Sequence, residues 1–164
     1  MTQRSRLALS SALVLCAALT FVGGCSRPTP DGMPKLVPCT VRVTQEEEPL
    51  AGATVELLGD ENFKWTVSGT TDAQGNAKIH THGDYPGAPE GSYKVAVSKQ
   101  VVEQEEVDES QMSASYVPSG GTAYNCVDPQ YGKADTTPLT IDVKGKTSAA
   151  FDVGAAIHEP VKPL

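Results

Sequence analysis

From residue 36 onward, hydrophobic and polar residues alternate in short runs that end at glycine, proline or charged residues. A period of two places one face of a β-strand in a core and the other in water. We therefore predict about seven strands, with these side chains facing inward: Cys39, Val41, Val43; Ala53, Val55, Leu57; Phe63, Trp65, Val67; Ala77, Ile79; Tyr93, Val95, Val97; Leu139, Ile141, Val143; and Ala149, Phe151, Val153.

The predicted strands are separated by segments with turn chemistry. In Asp72-Ala73-Gln74-Gly75-Asn76 the aspartate can accept hydrogen bonds from nearby backbone amides, while Gly75 can adopt a positive φ. Lys144-Gly145-Lys146 is expected to join the last two strands as a hairpin. Together these patterns predict one all-β domain, an antiparallel β-sandwich over residues 36–154.

Two regions break the alternation. Residues 100–137 carry an acidic run and a Ser-Gly-Gly-Thr stretch, so we expect a long insertion in the sandwich. Residues 155–164 contain two prolines and are expected to be a disordered tail.

Three segments resemble the carboxypeptidase-regulatory-like domain: Gly52-Ala53-Thr54-Val55-Glu56-Leu57, Thr71-Asp72-Ala73-Gln74-Gly75, and Gly91-Ser92-Tyr93-Lys94-Val95-Ala96-Val97. That resemblance covers residues 36–99, extends to 138–153, and implies a transthyretin-like (prealbumin-type, Ig-like) sandwich. Asp128 to Thr140 is similar to a segment of planctomycete lipoproteins. These motifs are structural, so the resemblance says little about function.

The N-terminus has the layout of a secretory signal. A basic start, Met1 to Arg6, precedes an apolar run from Leu7 to Val22. Val22-Gly23-Gly24-Cys25 resembles the bacterial lipobox, which implies a lipoprotein signal peptide over 1–24 and acylation, including palmitate, of Cys25. The alternative is ordinary signal cleavage that leaves a free thiol.

The residues after Cys25 extend this interpretation. Three prolines between Arg27 and Pro34 predict a flexible tether over 25–35. Ser26 follows the lipobox cysteine, and in Gram-negative lipoproteins a residue other than aspartate there implies the outer membrane. We therefore expect a location in the cell envelope, at the periplasmic face or the cell surface.

The charge balance argues against one class of partner. Without Arg4 and Arg6, the 13 Lys and Arg of the chain fall to 11, against 20 Asp and Glu. Binding to nucleic acid depends on cations that displace condensed counterions. No nucleic-acid partner is predicted, and the acidity is attributed to solubility.

Cys39 and Cys126 are the two cysteines that remain after Cys16 and Cys25 are assigned to the leader and the anchor. In an oxidising compartment a disulfide between them is the economical interpretation. Two unpaired thiols, or a redox pair, remain alternatives. Redox pairs are usually close in sequence, and these two are not.

A small group of residues has ligand chemistry. On a continuous strand His80 and His82 would point to the same side, with Asp84 and Tyr85 nearby, as a metal or ligand site would need. The alternative is a polar strand end facing water. Trp65 and Tyr85 could form a sugar-stacking platform, although alternation places Trp65 in the core. No cofactor is predicted.

No pattern in the chain is typical of catalysis. The sequence lacks a Gly-x-Ser-x-Gly elbow and a His-Glu-x-x-His motif. We therefore expect no enzymatic activity. The expected function is that of a lipid-anchored β-sandwich with a structural or protein-interaction role, whose partner is a cell-envelope protein or a glycan. The alternative is a lipoprotein that binds carbohydrate or a divalent cation.

The lipid anchor can be tested by Cys25→Ser. Because a free hydroxyl cannot accept the thioether-linked lipid, the variant should lose labelling by a palmitate analogue and leave the membrane fraction. Cys16→Ser is the matched control and should keep both properties. If Cys25→Ser remained in the membrane, the lipobox interpretation would be wrong.

Overall fold

The computed structural model describes residues 29–104 and 121–161. The chain divides into two units, Met1–Asp31 and Gly32–Leu164, and the fold described below belongs to the second. The predicted signal peptide, Cys25 and the middle of the predicted insertion lie outside the described residues.

The described ranges contain fifteen β-strands, one 3-10 turn at Pro129–Gly132 and no α-helix. In chain order the strands are β1 (Leu36–Val37), β2 (Cys39–Gln45), β3 (Glu48–Pro49), β4 (Thr54–Leu58), β5 (Val67–Thr70), β6 (Asn76–Lys78), β7 (His80–Thr81), β8 (Tyr85–Pro86), β9 (Ala88–Pro89), β10 (Gly91–Ser98), β11 (Gln100–Glu103), β12 (Thr122–Asn125), β13 (Thr140–Val143), β14 (Thr147–Asp152) and β15 (Glu159–Pro160).

Two main sheets build the sandwich. The first has six strands in the order β13-β10-β4-β5-β7-β8, and all its pairings are antiparallel. The second is centred on β2, which pairs with β14 on one side and with β3 and β6 on the other. Two smaller sheets are β1-β9 and β11-β12-β15.

The core lies where the inward faces of the two main sheets meet. Val41 and Val43 of the second sheet, and Val55, Val95 and Val97 of the first, are at most 1% exposed. Their neighbours Thr54, Glu56 and Lys94 are exposed, as the period of two requires. The predicted all-β sandwich is therefore confirmed. Its strand pairings are antiparallel except that of β14 with β2, and several of its strands are only two residues long.

The predicted turn at residues 72–76 is confirmed. The Asp72 carboxylate accepts hydrogen bonds from the amides of Gln74 and Asn76, both at 2.9 Å. Gly75 has φ +76°, and a Cβ there would lie 2.5 Å from the carbonyl oxygen of Val43. A glycine is thus required where this turn passes under β2.

The predicted hairpin of the last two strands is wrong. β13 pairs with β10 in the first sheet, whereas β14 crosses to the second sheet and pairs in parallel with β2 over six residues. Gly145, at φ +57°, lies in the connection, which carries the chain between layers. Alternation predicts which face of a strand points to the core. It does not predict which of the two sheets the strand joins, because the inward face is buried in either sheet.

The region predicted as an insertion is partly built into the fold. Its first residues form β11, which pairs antiparallel with β12. Val127 is 3% exposed, and the buried Thr137 hydroxyl donates to the Val95 carbonyl oxygen at 2.7 Å. Only residues 105–120 of this region lie outside the described residues.

The predicted tail also differs from the structure. Instead of a disordered end, Glu159–Pro160 forms β15 and pairs with Tyr124 and Asn125 of β12. The side chain of Gln45 reaches the same region and donates to the carbonyl oxygens of Cys126, at 2.9 Å, and Ala155, at 3.4 Å. Residues 162–164 lie outside the described part.

A tight turn of two glutamates joins β2 to β3. Glu46 has φ +53° and Glu47 φ +70°, a backbone region that L-residues other than glycine, asparagine and aspartate rarely adopt. The Asp152 carboxylate holds this turn by accepting from the Thr44 hydroxyl at 2.8 Å and from the Glu47 amide at 3.1 Å. The amide of Gly154 donates to the same carboxylate at 2.8 Å.

These hydrogen bonds, led by that of Thr44 and followed by those of Gly154 and Glu47, lower the pKa of Asp152. A carboxyl with a lowered folded-state pKa stabilises the fold fully above its unfolded-state pKa. That stabilisation is lost as the pH falls through the folded-state pKa.

The parallel register of β14 can be tested with two proline variants. The amides of Thr147 and Val153 donate to carbonyl oxygens of Pro38 and Thr44, so those of Ala149 and Phe151 also point at β2. Ala149→Pro should remove an internal bond and lower the free energy of unfolding by about 1–3 kcal/mol. Ala150→Pro removes an outward amide and should cost less than about 1 kcal/mol.

Urea unfolding of both variants measures this difference. Equal destabilisation, or a larger loss in Ala150→Pro, would contradict the assigned register.

Candidate binding surfaces

The segment that contains the predicted ligand residues forms a short hairpin. β7 and β8 pair through Thr81 with Tyr85, and His82, Gly83 and Asp84 form the loop between them. Thr81 is fully buried and its hydroxyl donates to the carbonyl oxygen of Gly87 at 2.9 Å. Tyr85 is half-buried and Asp84 is exposed on the loop.

His80 and His82 do not form the pair that alternation predicts. β7 ends at Thr81, and His82 adopts φ +52°, so the strand geometry that would align the two rings stops between them. The His82 ring packs edge to face on Trp65, with ring centroids 5.1 Å apart. His80 Nδ1 instead lies 3.0 Å from the carbonyl oxygen of Lys78. Across residues 29–104 and 121–161, no group of three or more His, Cys, Asp or Glu could hold a metal ion.

His80 belongs to an open polar groove of about 480 Å³ on the outer side of β5 and β7. Gly69 lines the groove with backbone atoms only and lies close to the Lys78 backbone, since a Cβ there would lie 2.5 Å from the Lys78 carbonyl oxygen. Hydroxyl, amide, ammonium and imidazole groups surround it, and we call it the His80 groove. Its lining residues are Ser68, Gly69, Thr70, Asp72, Asn76, Lys78, His80 and Gly83.

A second cleft, of about 360 Å³, is lined by Phe63 and Trp65 together with Leu57 and Leu58. Both aromatic rings are half-buried and pack against the core. β5 begins only at Val67, so the predicted strand from Phe63 is shorter than expected. Tyr85 is not among the residues that line this cleft, so the cleft does not join Trp65 and Tyr85 in one platform.

The predicted disulfide between Cys39 and Cys126 is wrong: both are free thiols. Cys39 begins β2, and Cys126 lies by the other end of that strand, since its carbonyl oxygen accepts from the side chain of Gln45. Seven residues of strand separate the two ends by roughly 20 Å at about 3.3 Å per residue. A disulfide requires Cα atoms within about 7 Å.

The two thiols also differ in environment. Cys39 is 4% exposed, and burial raises the pKa of its thiol, whereas Cys126 is partly exposed. Burial likewise raises the pKa of Tyr93, as do the nearby Cys39 and Asp60, and the Tyr93 hydroxyl donates to the carbonyl oxygen of Pro89 at 2.8 Å.

Sequence reasoning missed one surface, the outer edge of β14. The amides of Thr147, Ala149 and Phe151 point at β2, so the backbone N–H and C=O groups of Ser148, Ala150 and Asp152 point away from it. No strand within the described ranges pairs with that side. We call these outward groups the β14 edge. The sequence signal for this open edge is that Thr147–Asp152 contains neither proline nor lysine, the residues that usually protect an edge strand.

The small sheet β11-β12-β15 carries a second exposed region. Val102 is 65% exposed, and the rings of Tyr124 and His158 stack with centroids 4.0 Å apart. His158 Nε2 also lies 3.6 Å from a carboxylate oxygen of Glu103. This contact joins β11 to the segment before β15.

No helix in the described portion is long and apolar enough to span a bilayer. Comparison with known proteins finds no match to a family model, to a curated protein or to a solved structure.

Alkylation can test whether Cys39 and Cys126 are free thiols. In the folded protein iodoacetamide should modify Cys126 faster than Cys39, because the Cys39 thiol is buried and its pKa is raised. After denaturation without reductant both should react fully, as mass spectrometry would show. Cys39→Ser and Cys126→Ser assign each modification, and recovery of a peptide that links the two cysteines would contradict the structure.

Proposed function

We propose that the protein is a lipid-anchored, extracytoplasmic β-sandwich module with a structural or protein-interaction role and no catalytic activity of its own. The lipobox resemblance at Cys25 supports the anchor, and the tether over 25–35 would hold the sandwich away from the membrane. The observation that carries the interaction role is the open β14 edge.

An unpaired strand edge is a template for pairing with another chain, and proteins usually protect such edges with proline, charge or short length. The edge strands β3, β8 and β15 follow this rule, because each is two residues long and contains a proline. β14 has six residues in continuous register and contains neither proline nor lysine. It is the longest edge strand in the described part of the chain.

The side chains of β14 also favour a partner. Thr147, Ala149 and Phe151 face inward but remain only half-buried, because β14 ends its sheet. A further strand would cover that exposed apolar surface and satisfy the outward backbone groups together. The exposed Val102 on β11 is a second place where contact could be made.

A second candidate function is binding of a small polar ligand, and the His80 groove favours it. Its hydroxyl, amide, ammonium and imidazole groups suit a polyhydroxylated molecule such as a carbohydrate, which offers many donors and acceptors. The groove is open to solvent, and Asp72 already accepts hydrogen bonds within its own turn. The edge therefore supports the leading proposal more strongly.

Photocrosslinking in the producing cell tests the interaction role. A photoreactive amino acid at position 148 or 102 should give a discrete protein adduct, since both positions are exposed on edge strands, β14 and β11 respectively. Position 56 is the matched control: it is exposed on β4, inside the first sheet, and should give none.

Absence of adducts from both edge positions would contradict the interaction role. If an oligosaccharide then raised the melting temperature, and His80→Ala removed that rise, the second candidate would replace it.

A further inference from the structure

We propose that the β14 edge binds an extended segment of a partner protein in antiparallel orientation, with a basic residue at the segment's N-terminal end and an acidic residue at its C-terminal end. This inference rests on the proposed interaction function and names the chemical class of the partner.

The backbone defines the mode of binding. Ser148, Ala150 and Asp152 each present an N–H and a C=O outward, in one line along an uninterrupted strand. An extended peptide can pair with all three residues through main-chain hydrogen bonds, which contribute affinity whatever the side chains of the peptide. The segment would therefore span about six residues, the length of β14.

The inward side chains define which residues of the segment are apolar. Ala149 and Phe151 are half-buried at the rim of the core, while Ser148 and Ala150 on the other face are exposed. Neighbouring residues of paired strands share a face of the sheet. Alternate residues of the segment would therefore extend the core beside Ala149 and Phe151, and the others would face water.

The ends of β14 carry opposite charge. Lys144 and Lys146 precede Thr147 and are both exposed, and the Glu90 carboxylate, which accepts from the Gly145 amide at 2.9 Å, offsets one of these two positive charges. At the other end the Asp152 carboxylate accepts from the amide of Glu47 at 3.1 Å, and Glu46 and Glu47 of the glutamate turn are both exposed. An antiparallel segment begins beside Asp152 and ends beside Lys146, which determines the order of charges on the partner.

The orientation follows from the same geometry. Antiparallel pairing is slightly more stable per residue than parallel pairing. A parallel segment of the same sequence would place its basic end against Lys146 and its acidic end against Asp152, and like charges in apposition are unfavourable. The charge order thus distinguishes one orientation from the other.

The binding test uses the protein as the cell produces it and two labelled, end-capped peptides of identical composition. The first is Arg-Val-Thr-Val-Thr-Val-Glu, and the second exchanges the arginine and the glutamate. Fluorescence polarisation should show that the first binds several-fold more tightly at low salt. That preference should vanish at about 1 M salt, where the screening length is about 3 Å.

Ala150→Pro is the matched variant, because it removes an outward amide and leaves the bonds to β2 intact. Ala150→Pro should lower the affinity for the first peptide at least tenfold. Ala150→Ser keeps the backbone N–H and should bind that peptide with unchanged affinity. If Ala150→Pro fails to fold, hydrogen exchange of the unaltered protein replaces it. The peptide should then slow exchange of the Ser148, Ala150 and Asp152 amides selectively.

The inference would be overturned by no binding at millimolar protein, by binding that Ala150→Pro leaves unchanged, or by equal affinity for both peptides at low salt. A dimer that Ala150→Pro converts to a monomer would assign the edge to a second copy and would overturn it as well. If crosslinks from position 102 persist while the peptides fail, the interaction function stands and only this inference is lost.

Discussion

The structure depends on the hydrogen bonding of both sides of β2. Odd-numbered residues bond to β6, β3 and their connections, as in Val43 to Gly75 and Leu50 to Val43, while even-numbered residues bond to β14. Because the backbone of β2 is hydrogen-bonded on both sides, the strand lies in the middle of the second sheet and fixes its register. In that central position Val41 and Val43 are completely buried. The turn at Asp72 and the glutamate turn are both arranged around it.

Sequence patterns predicted the inward faces well, because burial of one face requires alternation whatever the partner strand. Val55, Val95 and Ile141 are buried as expected, and Gly75 has the expected positive φ. The partner of β14 could not be inferred in this way, since Ala149 and Phe151 would face the core from either sheet.

The candidate site was less predictable for related reasons. The redox chemistry of an exported protein favours a disulfide between Cys39 and Cys126, but it carries no information on the distance between them. His82 leaves the strand because its backbone is left-handed and its ring packs on Trp65, a tertiary contact that local alternation cannot reveal. The β14 edge depends on which strand lies outermost, a property of the assembled sheet alone.

The parallel pairing of β2 and β14 has a mechanical consequence. The N-terminal end of β2 and the C-terminal end of β14 lie at opposite ends of this pair, so tension applied between these two points pulls the strands past each other along their length. Under such shear the bonds of all six residue pairs must break nearly together, whereas an antiparallel hairpin would open one pair at a time. A sandwich pulled at these two points resists extension where β2 and β14 meet.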